Sequence, residues 1–87
     1  MPKTLGITAA TVVKASDGRV KQISVVTVGT TAGSVNDCIT TGAAAASNAI
    51  AQLPTTAGAI VFNPPWECGT GITVVPGTGQ TIAIDWD

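Results

Sequence analysis

The chain has 87 residues, 45% of them apolar and only 10% charged, with a net charge of −1, two cysteines and no histidine or tyrosine. That apolar fraction excludes a disordered chain, and the length allows one small domain spanning residues 1–87. Four basic residues give nucleic-acid binding little electrostatic support, and no apolar run approaches the roughly 20 residues of a membrane span.

The opening Met-Pro-Lys-Thr-Leu-Gly lacks the long apolar core of a signal peptide, which points to synthesis and folding in a cytoplasm. Residues 1–6 are read as an extended N-terminal arm. Residues 7–14 are rich in β-branched side chains and are predicted as a strand. Asp17-Gly18 is a short-range turn signal, and residues 19–28 read as the return strand, so 7–28 is expected to be a β-hairpin. Within the return strand, Ile23 and Val25 share one face while Val26 and Val28 share the other. That change of phase implies a β-bulge or a bend between two sheets.

Residues 34–39 are expected to form a short strand. Thr40 to Leu53 contains four consecutive alanines, with Ala46, Ile50 and Leu53 at helical spacing, and predicts a short helix ended by Pro54. The alternative is a loop whose small side chains let backbones approach closely. Residues 59–62 read as a strand stopped by Asn63-Pro64-Pro65. Residues 72–75 and 81–86 are the last two strands, and Ile82, Ile84 and Trp86 alternate with Thr81, Ala83 and Asp85. Between them, Pro76-Gly77-Thr78-Gly79-Gln80 is read as the loop of a second hairpin. The sum is a mainly β chain: a small antiparallel β-sandwich or open barrel of five to six strands with one short helix.

The doubled Gly-Thr-Gly at 69–71 and 77–79 is not a phosphate loop. The second copy precedes a strand pattern, and no third glycine stands at the dinucleotide spacing. Catalytic chemistry needs titratable groups that converge. Here Asp17, Asp37 and Glu67 are scattered, while Asp85 and Asp87 fall on one face near the end of the sequence, where solvation explains them. Neither Cys38 nor Cys68 has a base beside it in sequence. The chain is therefore expected not to be an enzyme and to hold no cofactor or metal. Half-buried thiols are expected for Cys38 and Cys68; the alternative, a disulfide closing a loop of about 30 residues, would contribute a few kcal/mol.

The charges are segregated. Lys3, Lys14, Arg19 and Lys21 precede every acid except Asp17, and Asp37, Glu67, Asp85 and Asp87 follow with no base among them. This pattern suits head-to-tail contacts between copies, and equally two regions that lie side by side in one subunit. A small domain also gains stability from association. Lys3, Trp66 and Trp86 are the candidate partner-contact residues: a basic arm, an aromatic ring after two prolines whose other reading is packing on the domain's own core, and a ring at the end of the last strand.

Val28-Gly-Thr-Thr-Ala-Gly-Ser-Val-Asn-Asp37, Thr41-Gly-Ala-Ala-Ala-Ala-Ser-Asn-Ala-Ile-Ala-Gln-Leu-Pro54 and Gly71-Ile-Thr-Val-Val-Pro-Gly-Thr-Gly-Gln-Thr-Ile-Ala-Ile84 carry a resemblance. Residues 25–86 resemble small structural proteins of tailed bacteriophages, Thr/Ala/Gly-rich β-domains that decorate or cement capsids or sit on tails and fibres. The resemblance implies a location in the virion after assembly in the host cytoplasm, many copies joined as trimers, binding to the major capsid protein, and no catalysis. A tail- or fibre-associated module binding a host glycan or receptor is the alternative. A bacterial cell-surface β-domain is a third class, and the expected lack of a signal peptide counts against it.

Overall fold

The computed structural model describes residues 3–87. Its strands are β1 (Lys3–Ile7), β2 (Thr11–Lys14), β3 (Gly18–Thr27), β4 (Gly33–Asn36), β5 (Ala49–Leu53), β6 (Gly58–Cys68), β7 (Ile72–Val75) and β8 (Thr81–Trp86). They form two four-stranded sheets, ordered β1-β8-β3-β6 and β2-β7-β4-β5, and every pairing is antiparallel. The sheets pack face to face without closing into a barrel, so of the two expected architectures the fold is the β-sandwich. No helix among the described residues is long and apolar enough to cross a membrane.

Alternation builds the core. Val20, Ile23 and Val25 of β3 turn inward beside Ile82 and Ile84 of β8, and Val35, Leu53, Ile72 and Val74 answer from the second sheet. Each such side chain removed from water contributes roughly 1.5–3 kcal/mol. The change of phase in β3 is a bulge: its register shifts between Val25 and Thr27, leaving Val26 60% exposed.

Neither expected hairpin forms. β2 pairs with β7 in one sheet, whereas β3 pairs with β6 and β8 in the other. Segment 15–17 is thus a crossing between layers. Gly18 does not supply the positive φ that a tight Asp-Gly turn requires; it opens β3, where an added Cβ would lie 2.9 Å from the Asp87 carbonyl. Likewise β7 and β8 lie in different sheets, and residues 76–80 arch over the top of the sandwich. Gly79 takes φ 82° there, and Gln80 N donates to Gly77 O at 3.1 Å.

Helical structure within 40–53 is limited to 3-10 turns at Thr41–Ala43 and Ala46–Asn48, and the remainder, Ala49–Leu53, is strand β5. Two asparagines decide this locally. Buried Asn36 donates Nδ2 to Ala45 O and to Asn48 Oδ1, and Asn48 donates Nδ2 to Ala43 O. Together these bonds satisfy loop carbonyls that a continuous helix would have used itself.

Asn63-Pro64-Pro65 does not end the preceding strand. The Asn63–Pro64 peptide is cis and β6 runs on to Cys68. Across from it, Val20 faces Trp66 while Gln22 faces Val61, so the prolines occupy a wide bulge on an edge strand, where no ladder donor is needed. Residues 3–6 of the expected arm belong to β1, paired with β8; residues 1–2 of that arm lie outside the described residues.

Candidate functional site: one end of the sandwich and its aromatic row

Val20, buried at the centre of the first sheet, has Trp66 of β6 on one side and Trp86 of β8 on the other. Cross-strand neighbours share a face, so the two candidate tryptophans stand in one row, separated by Val20. Their environments differ. Trp86 is half-buried against the core; its Nε1 donates to Thr4 Oγ1 at 3.0 Å, and Lys14 Nζ lies 5.7 Å from the ring centroid. Trp66 is 48% exposed and meets Phe62 edge to face at 6.2 Å between centroids. Trp86 therefore contributes to its own fold, and Trp66 leaves about half of its surface in solvent.

Lys3 is exposed at the start of β1, opposite Asp85 in the ladder. Asp85 Oδ1 is buried and has no hydrogen-bond partner among the described residues. The structure thus places Lys3 beside an under-satisfied carboxylate, one residue before the Thr4 that holds Trp86.

At the end of the row a cleft of about 440 Å³ is lined by Lys14, Asp17, Arg19, Glu67, Cys68 and Asp87 together with Gly18 and Gly69. The charge segregation resolves here inside one chain. Arg19 forms a salt bridge with Asp87, Lys14 Nζ donates to Asp87 O at 3.3 Å, and the backbones of Arg19 and Asp87 exchange two hydrogen bonds of 2.8 and 3.0 Å. The hydrogen bond and charge of Arg19 hold the Asp87 carboxyl below the usual range. Asp85 and Asp87 therefore do not converge on one point: Asp87 is held by Arg19, and Asp85 lies opposite Lys3.

Cys38 and Cys68 are both buried free thiols. Burial, with the Asp37 charge adding to it, pushes the Cys68 thiol up to about 11. A thiol so protonated at neutral pH is a poor nucleophile. Among the described residues no group of three or more Cys, Asp or Glu side chains could hold a metal ion.

Sequence reasoning missed the role of Gly69-Thr70-Gly71. Three successive amides point at Asp37: Gly69 N to Oδ2 at 3.1 Å, and Thr70 N and Gly71 N to Oδ1 at 2.8 and 3.1 Å. This backbone nest is the geometry that cradles anions, here filled by the chain's own carboxylate. Partial burial raises the Asp37 carboxyl, and the three amide bonds outweigh it, so the net displacement is downward. The signal lies in the glycine spacing, but that spacing does not tell which acid arrives. The second Gly-Thr-Gly is held differently, by Thr78 N donating to Thr31 Oγ1 at 2.8 Å and Gly77 N donating to Gln80 Oε1 at 2.7 Å.

Comparison of the chain with protein-family models, with curated proteins and with solved structures gave no match.

Proposed function

We propose that the chain is a non-enzymatic structural protein of a tailed-phage virion, a decoration or cement protein that binds the outer shell as an oligomer and stabilises it. The observation that carries this reading is the surface of β6. Trp66 is 48% exposed on an edge strand of a sandwich that bears only nine charged side chains, while Val61, 66% exposed, stands on the other face of that strand opposite Gln22. A half-exposed aromatic ring on an edge strand suits protein contact better than chemistry. A cement protein gains its hold from many weak contacts made at once, so one modest patch per copy is enough. Lys3, exposed on β1, supplies a second contact to an acidic neighbour on the major capsid protein.

The test is the copy number of the chain per purified particle by quantitative mass spectrometry, with Trp66→Ala and Lys3→Glu variants. Shell-wide occupancy that falls in Trp66→Ala supports the reading, and a chain found in no particle overturns it. A second reading, a tail- or fibre-associated adhesion module, draws on the same half-exposed ring, since a sugar face stacks on tryptophan. Glycan-array binding lost in Trp66→Ala, with only a few copies per particle, would favour it.

A further inference from the structure

Two open four-stranded sheets leave four edge strands, β1, β6, β2 and β5. Each presents a row of backbone donors and acceptors that pairs with other chains unless it is blunted. Three of the four are blunted. β1 begins with Lys3 and is kinked at Gly6, φ 67°, where its register with β8 shifts. β6 carries Pro64 and Pro65 in a bulge. β2 has four residues, a register shift between Val12 and Lys14, and a lysine at its end.

β5 differs. Its sequence, Ala-Ile-Ala-Gln-Leu, holds no charge and no proline; its register with β4 shifts once, at Ile50, and is regular from Ala51 to Leu53. Its outward N–H and C=O groups pair with no backbone group among the described residues. A cleft of about 470 Å³ extends from β5 across β4 to β7, lined in part by Ser34, Asn36, Ala45, Ala49, Gln52 and Val75, and none of its lining residues is charged.

An open ladder edge specifies its ligand: another extended strand, bound through main-chain hydrogen bonds. A neutral strand can also pair with its own copy, because antiparallel pairing sets no like charges opposite each other. We propose that β5 is the joint between two copies of this chain, pairing antiparallel with β5 of a second copy about a two-fold axis. The sheet β2-β7-β4-β5 then continues into its partner as one eight-stranded sheet, twice the four strands of each copy. Such an isologous joint closes as a dimer, in place of the trimer that the phage resemblance implies. The inference stands on the strand edges and not on shell binding.

Native mass spectrometry of the full chain over a concentration series tests it, together with amide hydrogen exchange and the double variant Ala49→Lys/Gln52→Lys. Both substituted side chains are exposed, so the fold is left intact. The expected result is a dimer in which the amides of 49–53 exchange more slowly as dimer forms, and whose dissociation constant rises at least about tenfold in the variant. A monomer at every concentration overturns the proposal, as does a trimer. So does an oligomer whose 49–53 amides exchange as fast as in the monomer, a readout that needs no variant.

Discussion

Replacing Asp37 with asparagine keeps the shape of the side chain and removes its charge, which isolates what the Gly69–Gly71 nest does. The new amide oxygen can take the place of Oδ1 and accept from Thr70 N and Gly71 N, now as neutral bonds. The new NH₂ then faces Gly69 N–H, donor against donor, where Oδ2 had accepted at 3.1 Å. One bond is lost and two lose their charge assistance. With about 1 kcal/mol for the lost bond and several tenths for each weakened one, discounted for solvent around a half-exposed group, the cost is about 2 kcal/mol. For a domain of this size that lowers the melting temperature by about 8–15 °C.

Urea unfolding of both proteins at neutral pH measures the difference as a lower midpoint at unchanged m-value. Titration supplies a second, independent readout. Because the folded carboxyl lies below its unfolded value, its contribution is complete above the unfolded pKa of about 3.9 and fades as pH falls through the folded value. The gap between wild type and Asp37→Asn should therefore close in acid. A gap under about 0.5 kcal/mol at pH 7, or one that persists unchanged to pH 2, would refute the nest as a source of stability.

Three further outcomes follow from the same geometry. Trp86→Phe keeps an aromatic ring but strands Thr4 Oγ1, and should cost about 1 kcal/mol in urea unfolding. Cys68 should resist iodoacetamide at pH 7.5 in the folded protein and react promptly in denaturant, since burial holds its thiol protonated; mass spectrometry after timed quenching reads both rates. Gly77→Ala would place a Cβ 1.9 Å from Thr31 O and should fail to fold or melt far earlier, whereas Gly42→Ala meets nothing within 4 Å and should keep the wild-type melting curve.

Strands were legible in the sequence because their signal is local. Alternation at Ile82, Ile84 and Trp86 or at Ile23 and Val25 needs no knowledge of the partner. Which strands pair was not legible. A Gly/Pro turn inside a sheet and an arch between sheets use the same residues, so residues 15–17 and 76–80 both read as hairpins although each changes layers. Helix propensity in the alanine run lost to pairing with β4 and to the Asn36–Asn48 bonds, which are long-range in sequence. The prolines after Phe62 were expected to end a strand, a rule that holds for paired positions and fails in a bulge at an edge. At the candidate site, the two prolines before Trp66 mark an extended segment, but its half-exposure depends on β6 being an edge strand, which only the sheet order reveals. Trp86, whose position near the end of the last strand suggested an anchor, bonds Thr4 of its own chain, a contact that its spacing in sequence does not show.

The division of labour between the two tryptophans also gives the protein a built-in pair of optical probes. With no tyrosine in the chain, its near-ultraviolet emission comes from Trp66 and Trp86 alone. Trp86, half-buried with its Nε1 bound and an ammonium near its ring, should emit to the blue and change when the sandwich opens. Trp66, half in water, should emit to the red and be quenched by acrylamide, and would lose that quenching under the docking proposed above. A single spectrum thus separates unfolding from docking, and Trp66→Phe and Trp86→Phe assign the two components.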